Sequence, residues 1–318
     1  MPTNIPRELL EKGLITPEQH ARIDAIYAGK IISVFYELRT LLYLGILLLT
    51  TGVGILIYLN IGEIGHVVAI GALILLTAAC FIYVFRNAPP YSNQPVKGPT
   101  PYFDYIVLLG ALLFISVLGY LQFQFNIFDD GLGMTTLVTA AFFFYIAYRF
   151  DHAGVLSLAI TALASFFSIS VSPQKWYSGE FLSDSNLHVT GIIFSVIVAS
   201  AALLLDKKTI KTHFTFTYVN FCCLIFFTGA ISGLFIDDEI YMIYVLLVFG
   251  GCVFAYYMAR YKKSFLFMLY AFIAAYIATT YMLVNTILYE PVLWFMYSIA
   301  SCGGFVYFII RYKNFFNR

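Results

Sequence analysis

The sequence predicts an all-α fold: a polytopic membrane bundle of ten transmembrane helices with a short cytoplasmic helical hairpin in front. Three observations predict it. The 318-residue chain is 61% hydrophobic and only 11% charged, with a mean hydropathy of +0.86. A soluble domain carries roughly 25% charged residues, so this chain has too few to cover a water-facing surface. Apolar runs recur at the length a bilayer demands, roughly 20 residues for a hydrocarbon core about 30 Å thick. Finally, seventeen of the eighteen Lys and Arg fall in every second gap between those runs, and only Lys175 falls in the others. Basic residues mark cytoplasmic loops. The alternation therefore predicts an even number of crossings and places both termini in the cytoplasm. The net charge of +1 says nothing about a polyanionic partner, because the distribution of charge matters and not its sum; no nucleic-acid partner is expected, since the N-terminal hairpin carries Glu18 and Asp24 beside Arg22.

The elements follow in order. Residues 1–39 read as a cytoplasmic hairpin and 40–318 as the membrane domain. Arg7 to Lys12 forms a short helix, and Gly13 suits the left-handed position that closes it. Thr16, Pro17 and Gln19 then start a second helix: Thr16 caps, Pro17 fits the first turn, and Gln19 completes a capping box. Ile23, Ile26 and Tyr27 share a face that can meet Leu9, Leu10 and Leu14. The hairpin reads as a docking site for a protein partner or as a stub on the membrane surface. The spanning segments are 40–60, 66–86, 105–126, 132–150, 153–172, 188–206, 214–236, 239–260, 264–285 and 291–311. Runs such as Leu41–Leu49 are apolar on every side, which excludes the alternating pattern of a membrane β-strand. Segments four and five are separated only by Asp151 and His152. The first apolar run follows a charged stretch and reads as a retained helix, not a cleaved signal.

Two loops differ from the rest. Residues 87–104 hold five prolines (89, 90, 95, 99 and 101) and read as a stiff cytoplasmic connector. Residues 173–187 carry Trp176, Tyr177, Phe181 and Leu182 and read as an interfacial outer loop. The returning helices share an ending: Tyr83 before Arg86, Tyr145 before Arg149, Tyr257 before Arg260 and Tyr307 before Arg311. Aromatic belts and snorkelling arginines account for that pattern, with repeated hairpins as the alternative.

The opening stretch carries a resemblance. It runs from Arg7 through Glu8, Leu9, Leu10, Glu11, Lys12, Gly13, Leu14, Ile15, Thr16, Pro17, Glu18 and Gln19, then a helix to Tyr27. Leu42, Tyr43, Leu44 and Gly45 follow, then Thr51, Gly52, Val53 and Gly54, and Asn60 as the helix end. This resembles the bacterial predicted-membrane-protein family called domain of unknown function 2157, best over the first ninety or so residues. Members often have Trp after that Asn, where this chain has Ile61. The resemblance implies a multi-pass protein of the bacterial inner membrane and brings no catalytic residues with it.

Ionisable residues inside a membrane are functional candidates because each costs a few kcal/mol there. None falls near a helix midpoint of this chain, which argues against a proton relay or a voltage sensor. Small-residue interruptions mark transporter sites or close helix packing. Here they are Thr51, Gly52 and Gly54 in the first segment, and Gly229 and Gly233, a GxxxG pair, in the seventh. Asn220 either lines a cavity or hydrogen-bonds a neighbouring helix. On the outer rim, Glu63 with His66 and Asp184 with His188 have the spacing of acid/base or metal pairs, and Asp237, Asp238 and Glu239 cluster. Such acids are also ordinary loop decoration. Arg149, Asp151 and His152 form a similar group on the other side. No Gly-rich phosphate loop, HExxH, GxSxG or CxxC is present, so no catalytic residue, metal or cofactor is expected. The five Cys all lie within helices, where no structural disulfide is expected.

Three functions fit. The first is a transporter-like or lipid-handling protein for an uncharged or amphiphilic substrate, with membrane lipids as its partners. The second is a membrane scaffold or sensor acting through the N-terminal hairpin. The third is an enzyme working at the outer acidic rim.

Overall fold

A computed structural model describes residues 13, 16, 17, 19, 20, 35–96, 98–128, 132–171, 185–236, 240–286 and 291–312. Among them there is no strand, and ten long helices follow one another: α1 Phe35–Ile64, α2 His66–Asn87, α3 Phe103–Phe125, α4 Leu132–Phe150, α5 Ala153–Val171, α6 Ser185–Lys207, α7 Phe214–Ile236, α8 Tyr241–Tyr261, α9 Phe265–Thr286 and α10 Pro291–Tyr312. Seven of these, α2, α3, α4, α6, α7, α8 and α9, are long and apolar enough over their described residues to cross a membrane. Shorter apolar stretches lie in α1 (Thr40–Ile55) and α5 (Ala153–Ser168). The chain is a helical membrane bundle.

The helices match the apolar segments closely, with one clear exception. Asn60 does not end the first helix; α1 runs on to Ile64 and stops at Gly65, whose φ of +78° is a left-handed closure. An Asn in a helix interior costs a few tenths of a kcal/mol at most, whereas Gly65 supplies the conformation that a helix end needs. In the N-terminal segment, Gly13 has φ +67°. Thr16 N–H donates to Gln19 Oε1 at 2.8 Å, and Gln19 N–H donates to Thr16 Oγ1 at 3.3 Å, a reciprocal capping box. The faces proposed to join the hairpin, from Leu9 to Tyr27, lie outside the described residues.

The chain divides into two compact units, residues 1–66 and 67–318. In the first, α1 is apolar around its whole circumference, as a lipid-facing helix is. In the second, α7 is the hub and packs against α5, α6, α8 and α9. Its residues Val219, Cys223, Phe227 and Ala230 meet Val248 and Ala255 of α8 and Phe267 and Ala274 of α9 in one buried cluster. A second aromatic group joins α2, α3 and α4 through Phe81, Phe114 and Phe142. The outside is as apolar as the inside: Val67, Leu75, Phe123, Leu246 and Val253 are all more than two-thirds exposed. Hydrocarbon is the solvent that makes such a surface stable.

Three turns at one end of the second unit close in the same way. His152 N–H bonds Ala147 O, Ile210 N–H bonds Leu205 O, and Ser264 N–H bonds Ala259 O, each about 3.0–3.1 Å. Asp151, Thr209 and Lys263 sit just before those donors with φ between +51° and +58°. These are Schellman closures made without glycine. The first explains the sharp break between α4 and α5. His152 then caps α5, accepting the Val155 N–H on Nδ1 at 3.0 Å while its Nε2 bonds Asp104 O at 3.0 Å. His152 is thus the capping residue of α5.

Candidate functional site

Helices α6, α7 and α8 form a three-helix unit with α7 behind and α6 and α8 in front. Near each end, a polar bridge joins α6 to α8 directly. At one end, His188 Nε2 of α6 and Tyr244 Oη of α8 share a hydrogen bond of 2.7 Å, both residues buried and their rings edge to face. At the other, Asp206 of α6 accepts from Tyr261 Oη of α8 at 2.9 Å and from Lys262 Nζ at 3.2 and 3.3 Å. Thr215 Oγ1, at the start of α7, completes the set at 2.9 Å. His188 and Asp206 are eighteen residues apart on α6, about 27 Å at 1.5 Å per residue. That is close to the thickness of a hydrocarbon core, about 30 Å.

The sequence-predicted glycines belong to the first bridge. A Cβ on Gly233 would run into the Tyr244 ring, and one on Gly229 would sit 2.9 Å from the His188 carbonyl oxygen and 3.3 Å from Ile192. The GxxxG pair therefore lets α6 and α8 approach α7 from two sides and sets where His188 meets Tyr244. Asn220 accepts a hydrogen bond from Tyr270 Oη of α9 at 3.1 Å, a cross-helix contact.

Between the bridges α6 and α8 part. The gap is a cavity of about 290 Å³ lined by Ser195, Ala199, Leu203, Cys222, Phe226, Phe254 and their neighbours. Small side chains keep it open: Ser195 and Ser200 on α6, and Gly250 and Gly251 on α8. The Ser hydroxyls are spent on their own helix, Ser195 Oγ on Gly191 O and Ser200 Oγ on Val196 O. Val196, Ser200 and Gly250 are exposed at the mouth. The result is an apolar groove opening sideways from the bundle. A second cavity of about 210 Å³ lies beside the first bridge, between α5, α6 and α7, with His188, Gly191, Thr228 and Gly229 in its wall.

Alongside the Asp206 bridge is a buried ionic cluster. Asp151, left-handed in the α4–α5 turn, takes Lys211 Nζ at 2.8 Å and His213 Nε2 at 2.6 Å on Oδ1, and the Val96 N–H at 2.6 Å on Oδ2. The Lys211 side chain is 1% exposed. Its ammonium also lies over the rings of Tyr91 and Phe214, 5.2 and 5.8 Å from their centroids. Burial pushes the Asp151 carboxyl up, but the bonds from Lys211, Val96 and His213 outweigh it and hold the group below the ordinary carboxylate range. Arg149 donates to Pro89 O at 3.0 Å, and Lys211 N–H to Asn93 O at 3.2 Å. The proline-rich connector is thus strapped to the α4–α5 and α6–α7 turns.

Thr51 Oγ1 bonds Leu47 O of its own helix at 2.8 Å, and a Cβ on Gly52 or Gly54 would meet nothing within 4 Å in the first unit. His66 opens α2. The Glu63 side chain, Asp184 and the acids at 237–239 lie outside the described residues. The groove and the ionic bridges were missed at the sequence level. Their only signal was Asp206 beside a Lys-rich turn, and the small residues Ser195, Ser200, Gly250 and Gly251 midway along apolar helices.

The predicted membrane protein family DUF2157 matches residues 7–167, and the chain belongs to it. The match runs well past the opening ninety residues, through α4 and most of α5. No curated protein and no solved structure matches the chain.

Proposed function

We propose that this DUF2157 member is a lipid-handling protein that holds the hydrocarbon chain of a membrane lipid in the groove between α6 and α8. The groove is the observation that carries the reading. It opens sideways where hydrocarbon lies, its walls are apolar, and its hydroxyls are satisfied internally, so it suits an aliphatic chain and not a polar solute. Its volume of about 290 Å³ lies at the lower end of ligand pockets, about 300–1,000 Å³, which fits one chain segment. A polar bridge ties α6 to α8 beyond either end of the groove and leaves the stretch between apolar. Multi-pass placement in a bacterial inner membrane, with both termini cytoplasmic, belongs to the same proposal and is supported by the charge alternation.

The test is cross-linking in membranes with a phospholipid bearing a photoactivatable group on one acyl chain. Adducts are expected on α6, α7 and α8 peptides containing Leu203, Phe226 and Phe254. Gly250→Phe fills the mouth, where a Cβ meets nothing within 4 Å, and should remove them. Adducts spread evenly over all outward faces, unchanged by G250F, would defeat the reading.

A further inference from the structure

We infer that the bridge of Asp206, Tyr261 and Lys262 is a headgroup site for an anionic phospholipid whose chain lies in the groove. The inference rests on the chain-binding reading and adds the class of lipid. Position comes first. Leu203 lines the groove and precedes Asp206 by three residues, so both lie on one face of α6. Phe254 lines it too, about 12 Å along α8 from Lys262 at 1.5 Å per residue. The bridge therefore stands at the groove's end near the bundle's basic turns, where a lipid whose chain fills the groove would present its phosphate.

Charge decides the lipid. Across 203–215 and 256–264 the chain has one acid, Asp206, against Lys207, Lys208, Lys211, Arg260, Lys262 and Lys263. Lys211 is committed to Asp151 at 2.8 Å with a side chain 1% exposed. Lys262 is held differently. Its contacts to Asp206 are 3.2 and 3.3 Å, longer than the roughly 2.7–2.9 Å of a tight charge-assisted bond, and its side chain is 18% exposed. One ion pair is closed and the other is loose, at the rim of an apolar groove. The Lys262 ammonium, which also lies over the Tyr261 ring at 4.8 Å, has with exposed Lys207, Lys208 and Lys263 around it donors to give a phosphate, while the Tyr261 O–H stays on Asp206. The surplus of positive charge favours a headgroup with net negative charge over a zwitterionic one, as in basic pockets between membrane helices generally.

The full chain in nanodiscs of equimolar dioleoyl phosphatidylglycerol and dioleoyl phosphatidylcholine tests this by native mass spectrometry of the lipids it retains. Wild type is expected to retain phosphatidylglycerol over phosphatidylcholine by about fivefold, the effect of one nearby charge. Lys262→Gln should bring that ratio close to one while the number of lipids retained stays the same, and Lys262→Arg should keep the preference. Equal retention of the two lipids by wild type, or a preference untouched in K262Q, overturns the headgroup site. If G250F lowers total retention in that case, the chain-binding reading survives alone. If neither G250F nor Ser200→Phe lowers it, the groove reading falls and this inference falls with it.

Discussion

Removing Asp151 should destabilise the bundle far more than removing its partner Lys211. In Asp151→Ala, the Lys211 ammonium stays where its side chain is 1% exposed and keeps only two aromatic faces, Tyr91 and Phe214. An uncompensated buried charge costs about 3–5 kcal/mol, and each cation–π contact returns about 0.5–2 kcal/mol at most, contacts the wild type already has. The expected loss is therefore about 3–5 kcal/mol. In Lys211→Met, the carboxylate keeps the His213 Nε2 and Val96 N–H donors, both at 2.6 Å. The loss should then be close to that of one hydrogen bond to a charged group, about 1.5–3 kcal/mol. The double variant should recover part of the D151A loss, because it leaves no orphaned ammonium. Reversible unfolding in mixed micelles of dodecyl maltoside and sodium dodecyl sulfate, followed by tryptophan and tyrosine fluorescence, gives the three values. Equal losses for the two single variants, or a D151A loss below about 1 kcal/mol, would refute the claim that Lys211 depends on this one acid.

Four further outcomes follow from the same contacts. Because Asp151 is held below its usual range, its contribution is fully present above about pH 4, the ordinary aspartate value, and is lost as pH falls through its folded value; the same unfolding series at falling pH should show a loss that D151A lacks. Gly233→Ala should destabilise by about 1–3 kcal/mol through the Tyr244 clash, whereas Gly52→Ala, with open space around it, should be neutral or stabilise by up to about 1 kcal/mol from helix propensity; matching losses would contradict the packing argument. Asn220→Leu should cost about 0.6 kcal/mol, typical of a cross-helix hydrogen bond in a membrane, and a loss above about 2 kcal/mol would give Asn220 a larger role. Gly250→Phe should leave unfolding stability within about 0.5 kcal/mol of wild type while blocking lipid cross-linking, and a large loss would mean the groove is structural space and not a binding site.

The helices were legible because membrane helices announce themselves by length and apolarity, and these do not depend on tertiary context. The α4–α5 break was legible only as two polar residues. Its mechanism, a Schellman closure on Asp151 with His152 capping α5, was not, because the usual glycine is absent. Gly229 and Gly233 could be marked as close-approach positions, but the partners that make them necessary, His188 and Tyr244, lie 41 and 11 residues away in the chain. His188 was read as half of a pair with Asp184. Asp184 lies outside the described residues; the structure shows His188 Nε2 on Tyr244 Oη, a partner that a buried imidazole needs and that the sequence did not indicate. Asp206 ends the sixth apolar segment and Lys262 follows the eighth, 56 residues further along the chain. Their meeting is set by the antiparallel order of α6, α7 and α8, which no local pattern encodes.

The same order explains why a groove exists at all. Antiparallel neighbours normally pack along their whole length, and α6 with α7 does so. For α6 and α8 to touch along theirs, side chains would have to fill the space in front of Cys222, Phe226 and Phe227. The chain places Ser195, Ser200, Gly250 and Gly251 there instead, and reserves long polar side chains for the two ends. Gly251 is small because the Phe226 ring occupies the place of its Cβ. Gly250 has no such neighbour, and a bare glycine at an exposed, apolar mid-helix position carries a propensity cost of about 1 kcal/mol with no packing to justify it. Space in front of the helix is what that residue provides. An empty apolar gap facing hydrocarbon does not stay empty, because the lining atoms lose dispersion contacts that a lipid chain restores. On the proposed lipid-handling reading, the polar bridges would decide which lipid enters: the His188–Tyr244 bond closes one end, and the longer Asp206–Lys262 contacts would let that end exchange partners with a phosphate.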